Sequence, residues 1–199
     1  MQIEMFPRAM QPTAGVPEKR YDRLFIALFP DPATAFRIDR LARAFHRDNR
    51  LDRTPQAVTR QHVSVLKIGD FRRLQEKHLY AARLAAQRVE MAAFAISLDA
   101  IGSFVAAPAA VAPPRRPLVL LGTGPEIVEL SNQLRVALGR KPLSPYAEVR
   151  PHLTLSYGPE VIPFQPIAPI RFVAHELVLV HSEVGRTRYH LRGRWSLQG

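Results

Sequence analysis

Two tetrapeptides in this chain present the same functional groups in the same order. His62-Val63-Ser64-Val65 and His152-Leu153-Thr154-Leu155 each read imidazole, aliphatic, hydroxyl, aliphatic, with the histidines 90 positions apart. Alternation of this kind marks a half-buried strand. The side-chain period of two sets imidazole and hydroxyl on one face, roughly 7 Å apart along the strand, while the aliphatic residues turn toward a core. A single His on the polar face of a strand is ordinarily just solvated. Two, each followed by a hydroxyl at the same offset, point to a shared site.

Two imidazoles on either side of a phosphate suit the opening of a cyclic phosphodiester. A base must take the proton of the attacking water, and an acid must give one to the departing ribose oxygen. Around an ordinary pKa of about 6.5, one His can be neutral while the other is protonated, so the pair can do both jobs near neutral pH. The Ser64 and Thr154 hydroxyls can donate to the non-bridging oxygens, where negative charge has to be stabilised. A zinc site built from His62, His152 and one of His46, His78, His175, His181 or His190 has no recognisable ligand spacing. Neither a metal nor an organic cofactor is expected.

The elements that must position these residues follow from periodicity and turn signals. Arg23 to Phe29 is a short apolar run, hence a buried strand. It is closed by Pro30 and followed by Asp31 and Pro32, an N-cap and a first-turn proline. Ala35, Ile38, Leu41, Ala42 and Phe45 then recur at helical spacing to about Asn49. Residues 54 to 61 read as loop, 62 to 69 as a strand, and about Leu74 to Glu90 as a second helix. Phe94 to Leu98 is a strand ahead of a turn at Gly102. The Pro/Ala-rich segment 105 to 117 is a loop joining two halves. Leu118 to Leu121 is a strand, Pro125 to Leu138 a helix, and RPHLTLSYG a strand. Phe172 to His181 and Arg186 to Leu197 close the chain as strands, with a turn near Gly185. Strand, helix, His-bearing strand thus occurs twice. The expected class is α+β, with largely antiparallel sheets and helices outside.

The chain has 199 residues, 47% hydrophobic and 23% charged, enough for one substantial core or two small lobes. Residues 1–20 read as a mobile tail without the apolar stretch of a secretory signal. Residues 21–199 read as one domain. There is no run of about 18 apolar residues, so no membrane span is expected. The absence of cysteine excludes disulfides and thiolate chemistry and is compatible with the cytoplasm. Twenty-eight Lys and Arg against 17 Asp and Glu give a formal charge of +11. That field favours phosphate-bearing partners. In GRTRYHLRGRW the even positions Arg186, Arg188, His190, Arg192 and Arg194 form a cationic face. Arg188 and Arg192 are therefore candidates for a phosphate-tracking wall, against a plainer reading as a charged, solvated strand face.

The two His motifs, the opening RLFIALFPDP, Phe104 after Gly102, and the closing ELVLVHSEVGRTRYHLRGRWSL together resemble the 2H phosphoesterases, in particular the RNA 2′,3′-cyclic phosphodiesterases also called 2′-5′ RNA ligases. The resemblance covers nearly all of residues 22–199. It implies a bilobal, pseudo-twofold fold whose two sheets form a central groove. It also implies metal-independent hydrolysis of a 2′,3′-cyclic phosphate, on RNA ends or small nucleotides, to a 2′-phosphomonoester. His62 would be the acid and His152 the base, Ser64 and Thr154 would bind the phosphate, and 2′-5′ ligation would be the reverse use of the same pair. A monomer is expected. Three positions depart from the family pattern: Ser64 replaces the usual Thr, Leu66 stands where a basic residue is common, and Tyr157 where Arg is common. Strict alternation puts Lys67 on the opposite strand face and assigns Tyr157 to packing. The alternative to an enzyme is a non-catalytic RNA- or nucleotide-binding module on the same fold.

Overall fold

A computed structural model describes residues 20–104, 115–144 and 150–198. The expected N-terminal tail and most of the Pro/Ala-rich connection lie outside the described residues. The elements are β1 (Tyr21–Leu28), α1 (Pro32–Asp48), a 3-10 turn (Val58–Arg60), β2 (Val63–Phe71), α2 (Glu76–Gln87), β3 (Phe94–Ser103), β4 (Arg116–Thr123), α3 (Pro125–Ala137), β5 (His152–Gly158), β6 (Gln165–Ala174), β7 (Glu176–Val184) and β8 (Arg188–Ser196). The start of α1 follows its capping chemistry: the Asp31 carboxylate accepts from the Thr34 N–H, and Pro32 opens the first turn.

The strands lie in the order β6-β3-β4-β5-β2-β1-β7-β8, and every neighbouring pair is antiparallel. The fold is α+β. The hydrogen-bonding pattern places all eight strands in one sheet, divided into two four-stranded halves. Their seam is the single residue pair Val63–Leu153 of β2 and β5. Counted outward from that seam, β2-β1-β7-β8 corresponds to β5-β4-β3-β6. The units β1-α1-β2 and β4-α3-β5 are therefore equivalent, as the repeated motif implies. The helices cross the seam: α1 meets β6, and α3 packs on β2.

One face of the sheet carries the core. Leu24, Ile26, Leu28, Leu153 and Leu155 pack there with Ile38 and Ala42 of α1, Leu79, Ala82 and Ala86 of α2, and Ile127, Leu130 and Leu134 of α3. Burying each large aliphatic side chain contributes about 1.5–3 kcal/mol. The opposite face has a smaller apolar floor of Phe25, Ala27, Val178 and Val180, edged by Phe29 and Tyr189.

Three elements differ from the sequence expectation. β3 does not stop at Leu98 before a turn at Gly102 but runs through Gly102, paired with Val119, to Ser103. Phe172 to His181 is not one strand: β6 ends at Ala174 and β7 begins at Glu176. The N-terminal part of β6 went unrecognised because Pro166 and Pro169 interrupt its pattern. As the outermost strand of its half, β6 tolerates residues that have no N–H to give. β4 also reaches back to Arg116 and Pro117, into the stretch read as loop.

Candidate active site

The seam decides where the two motifs face. Because Val63 and Leu153 are paired and point into the core, their neighbours His62, Ser64, His152 and Thr154 share the helix-free face. The antiparallel register sets His62 toward Thr154 and Ser64 toward His152. Ser64 is exposed, while His62, His152 and Thr154 are half-buried.

Both imidazoles are held in the same way. Nδ1 of His62 lies 2.7 Å from the Arg60 carbonyl, and Nδ1 of His152 lies 3.0 Å from the Arg150 carbonyl. In each case the carbonyl two residues upstream accepts the Nδ1 proton, which fixes the tautomer of the neutral ring with its lone pair on Nε2. The His62 ring is packed among Phe25, Phe29 and Tyr189, with centroids 5.0, 5.7 and 5.7 Å away. Phe104 stands edge-on to His152 at 5.1 Å. Burial among these rings lowers the His62 pKa from 6.5 to about 4, helped by the positive charges of Arg60 and of His152 when protonated. Burial also lowers the His152 pKa. The two imidazoles are thus close enough for one charge to act on the other.

Each His strand then breaks its alternation at the same place. β1 pairs with β7 in unbroken register, so the two shifts in its pairing with β2 belong to β2, where Val65 and, further on, Ile68 are extra residues. Leu66 consequently pairs with Ile26 on the core side, and Lys67 pairs with Phe25 on the groove side. In β5 the extra residue is Leu155, because β4 keeps its register with β3 at that point. Ser156 turns inward, and Tyr157 pairs with Pro117 on the groove face, where it is 48% exposed. Both expectations from strict alternation are corrected by these bulges. Lys67 returns to the face of His62, held by Asp70 at 3.4 Å, and Tyr157 is a groove residue rather than a packing one.

The carbonyls around each bulge are satisfied from the other half of the molecule. Gln56, in the loop after α1, donates from its backbone to the Leu155 carbonyl (2.6 Å) and from Nε2 to the Thr154 carbonyl (3.0 Å). Arg140, after α3, donates to the carbonyls of Lys67 (3.2 Å) and Ile68 (2.6 Å). Behind β5, buried His46 bridges the Arg53 carbonyl at Nδ1 (2.9 Å) and Ser156 Oγ at Nε2 (3.1 Å). Arg53 forms an ion pair with Glu160, and its guanidinium fills the space a side chain at Gly158 would need.

Of the cationic stripe on β8, Arg188, His190 and Arg192 do not face this groove, whereas Arg194 pairs with Val178 on the groove side. Tyr189 and Leu191 pair with Ser182 and Val180, which lie on the groove side, whereas Arg188 and His190 pair with Glu183 and His181 on the helix side. Arg192 is itself an extra residue, and its Nη2 lies 3.3 Å from His181 Nδ1. His181 is in turn held by Asp22 at 2.8 Å. Arg188 and Arg192 are therefore not placed as a wall for the histidines. The sequence reading overlooked Arg60, whose guanidinium lies 4.6 Å over the Tyr189 ring on the groove side. The signal available was an Arg two residues before each motif His, at 60 and 150. Among the described residues, no cluster of three or more His, Asp or Glu is spaced to hold a metal ion. No helix among them is long and apolar enough to cross a membrane.

No family model and no curated protein matches the sequence. Solved structures do share its fold. E. coli LigT complexed with ATP is 24% identical, over 90% of this chain and 99% of that one, with a TM-score of 0.66. TT0787 of Thermus thermophilus is 20% identical, over 89% and 98%, with a TM-score of 0.67. A protein described as a phosphoesterase is 21% identical, over 90% and 99%, with a TM-score of 0.62. LigT has also been solved with phosphate, with 3′-AMP and with NADP+.

Proposed function

We propose that this chain is a 2H phosphoesterase that hydrolyses 2′,3′-cyclic phosphates, on RNA ends or small nucleotides, to 2′-phosphomonoesters without a metal ion. The observation that carries the reading is the matched pair of imidazoles. They stand at the starts of the two seam strands, His62 just before β2 and His152 opening β5. Each has Nδ1 tied to the carbonyl two residues upstream, and each is followed by a hydroxyl on the same face. The shared fold with LigT, itself solved with phosphate and with nucleotides, agrees with it.

In this reading Nε2 of His152 takes a proton from water as the water oxygen attacks phosphorus. The bond from phosphorus to the ribose 3′ oxygen breaks, and Nε2–H of His62 protonates that oxygen. Ser64 and Thr154 donate to the non-bridging oxygens as charge builds there. The products are a 2′-phosphomonoester, neutral His62 and protonated His152, and exchange with solvent resets the pair. In the free enzyme burial keeps both imidazoles neutral at pH 7. The anionic phosphate raises their proton affinity, so substrate binding helps to charge the acid. Ligation at a 2′-5′ bond runs the same proton transfers backward.

The test is turnover of an oligoribonucleotide ending in a 2′,3′-cyclic phosphate, with EDTA present, by wild type and His152→Ala. The expected product is a 2′-phosphate, and its rate of formation falls by roughly 10²–10⁴ in the variant. If neither this substrate nor small cyclic nucleotides are hydrolysed, the enzyme reading fails and a nucleotide-binding module replaces it.

A further inference from the structure

Resting on that reading, we propose that Arg60 binds a second phosphate group of the substrate, giving the site a preference for nucleotides that carry one beyond the reacting cyclic phosphate. Three observations converge on this side chain. Its guanidinium stacks over Tyr189 at 4.6 Å, and Tyr189 also packs against the His62 ring at 5.7 Å, so the cation stands one aromatic ring away from the imidazole. Its own carbonyl fixes His62 at 2.7 Å, which ties the guanidinium to the catalytic strand through only two residues. Its Nε is buried with no hydrogen-bond partner among the described residues.

The Nε atoms of Arg53 and Arg116 are buried and unpartnered as well, so what sets Arg60 apart is its setting. Other guanidiniums in this molecule reach carboxylates: Arg23 meets Asp70, Arg53 meets Glu160, Arg186 meets Glu183 and Arg194 meets Glu176. Arg60 has no such counterion among the described residues. The floor beneath Tyr189 is apolar, built from Phe25, Val178 and Val180 and edged by Phe29. Beside the Tyr189 ring the guanidinium also hydrogen-bonds the Tyr189 hydroxyl, and the N–H groups beyond that contact suit planar recognition of a phosphate. Because the Tyr189 ring separates it from His62, the group it takes is a neighbour of the reacting phosphate, not that phosphate itself. A 5′-terminal phosphate and an internucleotide phosphate share this chemistry. Arg150, the corresponding residue of the other motif, lines a 410 Å³ hollow at the start of α3.

The experiment is equilibrium binding by calorimetry, which needs no turnover. Three product-like probes are compared: adenosine 2′-monophosphate, adenosine 2′,5′-bisphosphate, and the dinucleotide ApA bearing a terminal 2′-phosphate. In wild type the second phosphate is expected to tighten binding at least tenfold, and whichever of the last two probes gains more identifies the source. In Arg60→Gln that gain falls below about twofold, and Arg60→Lys restores part of it. Three results overturn the proposal. One is no gain in wild type, a second is no measurable binding of any probe, and the third is an equal loss for all probes in Arg60→Gln. The last would place Arg60 on the reacting phosphate or in support of His62. Thermal melting of both variants checks that they fold. Failure of the cyclic-phosphate turnover assay, by contrast, would remove the proposed reaction without altering these binding ratios.

Discussion

His46 and Ser156 meet at 3.1 Å inside the protein, joining the last turn of α1 to the strand that carries His152. Removing the hydroxyl leaves a buried ring nitrogen without its partner, at a cost of about 1–3 kcal/mol. Ser156→Ala is therefore expected to lower the urea midpoint by that equivalent. Because the same stretch of β5 presents Thr154, turnover should fall as well. A variant as stable as wild type would show that the contact adds nothing.

The pH profile of kcat/KM reports the free enzyme, in which burial lowers the pKa of both histidines. The reactive form needs one imidazole protonated and one neutral, so its population peaks between two values that both lie below about 6.5. The maximum is expected on the acid side of pH 6.5 instead of at neutrality. A plateau centred at pH 7 or above would contradict the burial of these rings.

Stability should follow the same titration. The folded pKa of His62, about 4, lies below its unfolded value, so protonation favours the unfolded chain. This contribution is complete above about pH 6.5 and is lost as pH falls toward 4. Between pH 7 and 5 the loss attributable to His62 is on the order of 2 kcal/mol. Urea midpoints of wild type and His62→Gln at both pH values test this. The variant should show the shallower dependence.

Arg188 and Arg192 lie across the sheet from the histidines, against Glu183 and His181. Replacing both with Ala is expected to leave KM for an RNA end within about twofold of wild type. The loss should appear instead in stability, where His181 forfeits its Arg192 contact. A KM raised tenfold would return these residues to the groove.

Gly158 leaves room for the guanidinium of Arg53, which a Cβ at that position would overlap. Gly158→Ala should displace Arg53 from Glu160 and cost about 1–3 kcal/mol. With Arg53→Ala already in place, the same substitution should cost clearly less, and the double-mutant cycle measures the difference. Additive effects would mean the two residues do not share that space.

Much of the site was legible because its signal is local. An imidazole, a hydroxyl and two aliphatic residues at a period of two specify both strand and face, and the Asp31-Pro32 pair specifies where α1 begins. The misassigned residues were those set by pairing partners distant in the chain. Val65 and Leu155 look like any strand residues, and only their registers with β1 and β4 reveal them as bulges that redirect Lys67 and Tyr157. Arg192 on β8 behaves in the same way: as an extra residue it turns Arg194 to the groove side, while Arg188 and His190 stay on the helix side. β6 was hidden for a different reason, since its prolines are acceptable only on an outermost strand, a position no local pattern announces.

The order of strands has a consequence for how the protein forms. The half that carries His62 is built from β1 and β2 at one end of the described chain and β7 and β8 at the other, with the His152 half inserted between them. Neither α1 nor α3 can finish its packing on its own half. Contacts between residues so distant in the chain make for slow folding, since a long loop must close before any of them forms. Synthesis from the N-terminus brings both histidines out before β7 and β8, and the floor beneath His62 is complete only when Val178, Val180 and Tyr189 arrive. A truncated chain that ended after β5 would hold every motif residue and lack the pocket that tunes them.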